Sequence, residues 1–532
     1  MLDIEIYEDV LSNWPYKKIN GKTLDPILTF DENIPYWKLH KFRFYYLLYN
    51  IPFRDKSTRY KPILDNNKEP IFIRIRTKLV YFLINLYFCF VILYLFIRTV
   101  FQNKVKIKNS SNKKKVMILT HESSISVNKN GTVHDVYMFE GFRKELVKFK
   151  EMEEFLLVTS PWLKPWKKPR PGNYHLLNDY STLRIFLKSL KETIKFIKKI
   201  KNIKKEEWEE AFRVSDRDIY CFVKDDLNFL FSFSMVFLNI FYYYLFKQII
   251  EEEKIDAILT ISGHYERCAI AACHSKNISS VFIAHSTFAT GKYFDFFPNT
   301  YYFVYNIADK KRLIKESFIN PDRIKVIGPY TIDHLVNFSK THKKNIDKSK
   351  KTILFLSQQL YILYGEKLFS EYINKVFSNF SEIDAKVVIK LHPRDKKPYL
   401  WLNALKKNNI SDYEIISTLV GNKNQEILYR AIANSDVVAT FYSSALIDAL
   451  VLKKPVIMIN INGEGYYNNL QSIIKVNYNQ DFTKVIHDLL YNQVFKRETL
   501  IRINKDIKNY YYKVDGKANF RGVYYLNQLL KK

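Results

Sequence analysis

From residue 115 onward one unit recurs: a short apolar run, a polar loop, then a helical stretch. That repeat limits the fold more than any other feature of the chain. The runs 115–120, 155–159, 256–261, 280–284, 301–305 and 325–327 lack the alternation of half-exposed strands. They read as strands buried on both faces, as in a parallel sheet. The pattern breaks at Gly328-Pro329 and the lysine-rich stretch 340–351. It restarts with 352–356, 385–391, 413–417, 436–441 and 455–460. Two such arrays joined by a polar linker predict an α/β fold: two doubly wound, Rossmann-like domains facing each other across a cleft. The expected organisation is a helical lead-in over 1–110, a first domain over 111–335, a second over 345–485, and closing helices over 486–532. A chain of 532 residues, 47% of them hydrophobic, has the length and apolar content for two or three packed domains.

Charge and cysteine content narrow the partners. Net charge is +30, from 84 Lys+Arg against 54 Asp+Glu, which favours an anionic partner. No zinc-finger or RNP-type motif accompanies it, so nucleic acid is not expected. Cys89, Cys221, Cys268 and Cys273 form no CxxC and are too few for a disulfide framework. They read as core thiols in a reducing compartment. Met1 is followed by an acidic stretch, Asp3 to Asp9, not by a signal-peptide pattern.

Three segments bear on membranes. Residues 79–97 carry no charge, are flanked by basic residues on both sides, and are just long enough to cross a bilayer. They read either as a membrane helix or as a buried helix of the lead-in. The uncharged run 227–246 reads as a buried core helix. It leads directly into the strand at 256–261, which must share a sheet with 115–120, so a membrane between them is impossible. Between the second and third strands, Ile185, Phe186, Leu190, Ile194 and Ile197 recur at helical spacing, while Lys188, Lys191, Lys195 and Lys198 fill other faces. That basic amphipathic helix suits an anionic membrane surface or a solvated face.

In open α/β sheets ligands bind at the carboxyl ends of the strands. In the second array three loops stand there. Ser357-Gln358-Gln359 is the first. The second is His392-Pro393-Arg394-Asp395, in which an imidazole and a guanidinium suit a phosphate or pyrophosphate. The third is Tyr442-Ser443-Ser444, which opens a helix and offers hydroxyls and backbone N–H groups to an anion. Asp448, one turn further, is placed to reach a ribose hydroxyl or to cap the helix.

Together these loops resemble the donor-binding half of GT-B glycosyltransferases. Similar enzymes include the CDP-glycerol glycerophosphotransferases of teichoic acid synthesis and the bacterial sialyltransferases and polysialyltransferases of capsule synthesis. In those families a strand ending in His-Pro precedes a segment whose counterpart here holds Asp436, Ser443-Ser444, Asp448-Ala449 and Pro455-Val456. The resemblance implies that His392 contacts the donor phosphate or cytidine, and Ser443 and Ser444 the phosphate. Gln358, Arg394 and Asp448 complete the expected donor set. In the first array, the strand ending in His285 resembles the glycerophosphotransferase strand that ends in His-Gly, where the His is a catalytic candidate; Ser286 stands in place of the Gly. The acidic signature of the sialyltransferases is absent, which leaves Glu122, Asp135 and Glu266 beside His285 as candidates for the general base.

The resemblance implies an inverting glycosyltransferase. It would move a sugar from a CMP-, CDP- or UDP-linked donor to a surface polysaccharide or lipid-linked acceptor at the cytoplasmic membrane face. A CDP-polyol phosphotransferase, a sugar-nucleotide epimerase and a non-enzymatic capsule-assembly scaffold are the alternatives. No metal or cofactor is expected, because no DxD motif other than Asp216-Arg217-Asp218, remote from any expected cleft strand, is present.

Overall fold

A computed structural model describes residues 13–19, 21–31, 34–40, 71–101, 112–121, 125–127, 133–135, 139–159, 174–214, 217–218, 220–261, 264–284, 294–341, 350–392, 395, 397–417, 422–443, 445–461 and 470–531. For Asp135, His264 and a few others it describes the backbone alone. The chain divides into two units, Met1–Val326 with Gly522–Lys532, and Ile327–Arg521.

The first unit is built on a seven-stranded parallel sheet. Its strands are β1 (Lys114–His121), β2 (Met152–Thr159), β3 (His175–Leu176), β4 (Ala257–Thr260), β5 (Ser279–Ile283), β6 (Thr300–Val304) and β7 (Ile324–Val326). Their order is β7-β6-β5-β4-β1-β2-β3. The second unit holds six parallel strands: β8 (Lys351–Leu356), β9 (Ala385–Lys390), β10 (Tyr413–Ile416), β11 (Val437–Thr440), β12 (Val456–Asn460) and β13 (Ile473–Asn477). Their order is β10-β9-β8-β11-β12-β13. In both sheets the chain starts near the middle, builds outward to one edge, then crosses back and builds to the other. This is the doubly wound order, with a topological switch between β1 and β4 and again between β8 and β11. The α/β architecture of two such units is the one expected. All eleven expected strands form, their ends shifted by at most three residues. The edge strands β3 and β13 were not expected: β3 has two residues, and only two of the five residues of β13 are buried.

The inner strands are buried on both faces. Every residue of Ala257–Thr260 and of Val437–Thr440 is buried. Their apolar side chains must therefore meet helices above and below. In the first unit one such helix is itself apolar all round. The uncharged run breaks at Phe231-Ser232 into α3 (Tyr220–Leu230) and α4 (Phe233–Glu252), two helices rather than one. Ser232 caps α4, its Oγ accepting the Met235 N–H at 3.4 Å. Val236, Phe237, Ile240, Phe241, Tyr243 and Leu245 are fully buried, as a core helix requires. The described lead-in residues also join this core. Tyr36 is completely buried, its hydroxyl donating to the Leu230 carbonyl at 2.9 Å. Two further helices of the first unit, α1 (Ile71–Phe101) and α2 (Leu183–Lys201), pack on α4.

In the second unit the segment after the switch from one array to the next is held by its own carboxyl-terminal stretch. Gly328 adopts φ +91°, where a Cβ would approach the Arg521 guanidinium to 2.9 Å. Arg521 Nε donates to the Ile327 carbonyl at 2.7 Å, and Asp333 accepts the Ala518 and Asn519 N–H groups at 3.1 and 2.8 Å.

One device recurs at each switch point. Asp256 precedes β4 and accepts the Lys115 N–H of β1 at 2.8 Å; Asp436 precedes β11 and accepts the Thr352 N–H of β8 at 3.1 Å. The backbone N–H of each aspartate in turn donates to the carbonyl of the same residue, Lys115 or Thr352. Each carboxylate therefore satisfies the amide of the second residue of a central strand, just ahead of that strand's first pair across the switch. Asp436→Ala would leave the Thr352 amide without that acceptor. It should lower the stability of the second unit by about 1–3 kcal/mol, seen as an earlier denaturation midpoint. Unfolding curves that superimpose on the wild type would show that the aspartate sets nothing.

Candidate functional site

The carboxyl ends of β9, β8 and β11 are adjacent, and the three loops singled out from the sequence leave from them. At the switch point the β8 and β11 loops are joined directly. Gln358 Oε1 accepts the Tyr442 N–H at 2.6 Å, and Thr440 Oγ1 donates to the Leu356 carbonyl at 3.0 Å. The Tyr442 hydroxyl accepts the Ile461 N–H at 2.7 Å, which ties in the segment after β12. On the other side, the His392 N–H donates to Ser357 Oγ at 2.8 Å, so the loops after β8 and β9 are joined as well. Gln358, His392 and Ser443 thus stand on one continuous edge, with the His392 and Tyr442 amides held by the side chains of the β8 loop.

Asp395 organises this edge from below. Its carboxylate accepts the Ser357 hydroxyl at 3.2 Å, the indole N–H of fully buried Trp401 at 3.0 Å and the Lys397 N–H at 3.0 Å. Trp401 belongs to α6 (Pro398–Lys407). Ser357 and Asp395 were read as parts of their loops, not as the groups that hold the loops together. Lys390 was missed altogether. It is the last residue of β9, buried, and donates from Nζ to the Leu391 carbonyl at 2.9 Å. Burial pushes its ammonium down to about 8. Its signal was a lysine inside the apolar run Val387-Val388-Ile389-Lys390-Leu391.

Ser443 takes part in the turn that follows, its Oγ accepting the Ala445 N–H at 3.3 Å. The helix it leads into, α7 (Leu446–Val451), is a short six-residue segment. Asp448 lies in its first turn, partly buried, and burial alone pushes its carboxyl up to about 7. Burial raises the phenol of Tyr429, in the helix Asn422–Asn434, and nearby Asp448 adds to that shift. Arg394 and Ser444 lie outside the described residues.

In the first unit only one of the expected groups, Glu266, is described with its side chain. β1 ends at His121 and β4 at Thr260; α5 (His264–Ser275) begins just beyond β4. Glu266 is in the first turn of α5, buried, and desolvation pushes its carboxyl up to about 7 despite neighbouring Arg267. Asp135 ends a short hairpin strand, Val133–Asp135, whose side chains are not described. His285 and Glu122 lie outside the described residues. Among the described residues no group of three His, Cys, Asp or Glu side chains is arranged to hold a metal ion. A surface pocket of about 240 Å³ lies elsewhere in the first unit, against Asp31, Lys195 and Lys199. None of the expected site residues lines it. Its Asp31 carboxylate already takes the Tyr243 hydroxyl at 2.7 Å and Lys247 Nζ at 3.0 Å.

No protein-family model matches the chain, and no curated protein matches its sequence. Solved structures with a similar course include UDP-GlcNAc 2-epimerase from Neisseria meningitidis bound to UDP-GlcNAc, at 14% identity and TM-score 0.47, covering 79% of this chain and 100% of that one. UDP-GlcNAc 2-epimerase from Methanocaldococcus jannaschii matches at 14% identity and TM-score 0.45, covering 78% and 99%. The wall teichoic acid polymerase TagF matches at 13% identity and TM-score 0.40, covering 78% and 89%. All three scores lie below 0.5, so the fold stands on the strand order and pairing described above.

The raised Asp448 carboxyl has a consequence for stability. The unfolded chain ionises this group from near 3.8, whereas the folded chain keeps its proton to about 7. Folding is therefore favoured below the lower value, and that advantage is lost as pH rises through the upper one. Asp448→Asn should match the wild type in melting temperature at pH 4 and exceed it by a few degrees at pH 8. An offset equal at both pH values would mean the carboxyl is not held neutral by burial.

Proposed function

We propose that the protein is an enzyme: a glycosyltransferase that binds a nucleotide-activated sugar on the second unit. What carries this reading is the meeting of Gln358, His392 and Ser443 at the carboxyl ends of three adjacent parallel strands. In a doubly wound sheet that edge is where a ligand is received. An imidazole and a hydroxyl there suit the donor phosphates, and Asp448 suits a ribose hydroxyl. The reaction read from this set is an inverting displacement. An acceptor hydroxyl attacks the anomeric carbon, the bond from that carbon to the phosphate oxygen breaks, and the nucleotide leaves with the electron pair. His392 and Ser443 would meet the charge that develops on the leaving phosphate. Arg394 and Ser444 are assigned to the same phosphate from the sequence.

A base must take the acceptor proton. Glu266 is our first assignment, because a carboxyl that titrates near 7 can accept a proton at neutral pH and release it again. His285, Glu122 and Asp135 are the others. The charge on the leaving phosphate is assigned to side chains, so the reaction is read as metal-independent. A chelator should then leave turnover unchanged. The acceptor is read as a surface polysaccharide or a lipid-linked chain at the cytoplasmic membrane face.

Purified protein offered CMP-, CDP- and UDP-linked sugars should release the nucleotide from one of them. Release of CMP from a CDP-polyol instead would make it a phosphotransferase, and no release from any donor would favour a scaffold. His392→Ala should weaken nucleotide binding by about 1–3 kcal/mol in calorimetry, with the fold intact. Unchanged affinity would remove the imidazole from the donor site. Glu266→Gln should abolish transfer while nucleotide binding persists. In the wild type, turnover should fall as pH drops below about 7, where the base becomes protonated. A variant as active as the wild type would exclude Glu266 as the base.

A further inference from the structure

The apolar helix α1 is neither a buried core helix nor detached from the fold. One side packs on the first unit through Phe88, Val91 and Leu95, all buried. Tyr81 stacks on Phe229 of α3 with ring centroids 4.6 Å apart, and its hydroxyl donates to Asp226. Phe96 meets Phe186 of α2 at 5.3 Å, and Arg98 pairs with Asp179. Asn85, the one strongly polar side chain of the uncharged run, points inward. Its Oδ1 accepts the hydroxyls of Ser232 and Ser234 at 2.8 and 2.7 Å. Asn85 and Tyr81 thus direct their polar groups to the protein.

Among the described residues the opposite side has no such partner. Phe82, Leu83, Phe90 and Leu93 are each more than half exposed, and Leu86, Ile97 and Val100 nearly so. From Leu79 to Phe101 this face runs about 33 Å along the helix and carries no charged group. The neighbouring α2 continues it. Leu187 and Ile194 are exposed and, at 3.6 residues per turn, lie within about 20° of each other on the wheel. They fall on the edge of the exposed arc nearer Phe186, the residue that touches α1. Farther round come Arg184, Lys191 and Lys198, exposed to solvent. The surface therefore runs from a charge-free apolar strip, through isolated leucine and isoleucine, to a row of cations.

We propose that this face seats the protein in one leaflet of an anionic lipid bilayer, with α1 lying in the membrane plane rather than crossing it. The graded arrangement selects the occupant. Acyl chains take an apolar strip, and anionic headgroups take the cations bordering it. A protein partner would need no such gradient. Crossing the bilayer is opposed by the Asn85, Tyr81 and Arg98 contacts, which a spanning helix would have to break in an environment unable to replace them. The inference stands on this surface and does not depend on the reaction proposed above. If it fails, the nucleotide assignment is untouched.

Cys89 gives a direct probe, since it is exposed on α1 while Cys268 and Cys273 are buried. Full-length protein in a Cys221→Ser background would carry an environment-sensitive fluorophore on Cys89. It would be mixed with vesicles of phosphatidylcholine alone or of equal parts phosphatidylcholine and phosphatidylglycerol. The expected result is a blue shift with the anionic vesicles, quenched by lipids spin-labelled near the headgroup and not by those labelled at the chain end. Phe90→Gln with Leu93→Gln should reduce vesicle affinity on the order of ten-fold or more, with the circular dichroism spectrum unchanged. Lys191→Glu with Lys198→Glu should weaken binding to the anionic vesicles alone. Quenching only from the chain end would mean that α1 crosses the bilayer and would overturn the in-plane arrangement. No shift with either vesicle would overturn the proposal. So would self-association that the glutamine variants abolish, which would give the face to a second copy of the chain.

Discussion

The pairing of β8 with β11, Ile353 to Val437 through Leu356 to Thr440, is the interaction on which the candidate site depends. These two strands are far apart in sequence and become neighbours only because the chain returns to the middle of its own sheet. Once they pair, Gln358 must stand beside Tyr442, and the bond from the Tyr442 N–H to the Gln358 side chain follows. β9 pairs with the other side of β8, which brings His392 to the same edge. The same logic operates in the first unit, where β1 and β4 meet. An aspartate ahead of the fourth strand closes the ladder in both units. Parallel strands give no short hairpin to fix register, so a side chain that holds an amide just ahead of the first pair across the switch has unusual influence.

Three titratable groups near these two edges are shifted by burial. Lys390, Asp448 and Glu266 each hold a titratable group where desolvation moves it towards neutrality. A carboxyl and an ammonium in such surroundings cost folding free energy that an apolar residue would not. Their presence at strand ends and in the first turns of the following helices matches the pattern of sites that trade stability for chemistry. Tyr36 and Tyr243 show the contrast: their hydroxyls are buried among partners and serve packing.

Much of this was legible in the sequence, and the exceptions have physical causes. The strands could be read because burial on both faces gives short unbroken apolar runs, as in Val437–Thr440. β13 escaped because this edge strand is only partly buried and carries Lys475 and Asn477 within a five-residue run. The break between α3 and α4 escaped because Phe231-Ser232 interrupts helix without interrupting hydropathy. His392 and Ser443 could be placed, since a strand end followed by a polar loop is a sequence pattern. Their fixation by Ser357 and Asp395 could not, because it depends on hydrogen bonds between loops separated by 35 and 38 residues. The two-sidedness of α1 was hidden for another reason. A run without charge looks the same on every face, and only the contacts of Asn85, Tyr81 and Arg98 reveal which side is docked. In the first unit Glu266 was placed by its position after β4, but its desolvation comes from packing that no local motif records.

The central claim is that the carboxyl edge of the second sheet receives a nucleotide. Hydrogen–deuterium exchange with and without CDP or UDP measures it most directly, because the site is built from backbone amides held by neighbouring loops. The account predicts slowed exchange in the peptides spanning 357–360, 391–395 and 441–448, with the first unit's sheet unchanged. Protection confined to the first unit, or none with any cytidine or uridine nucleotide at saturating concentration, would contradict it.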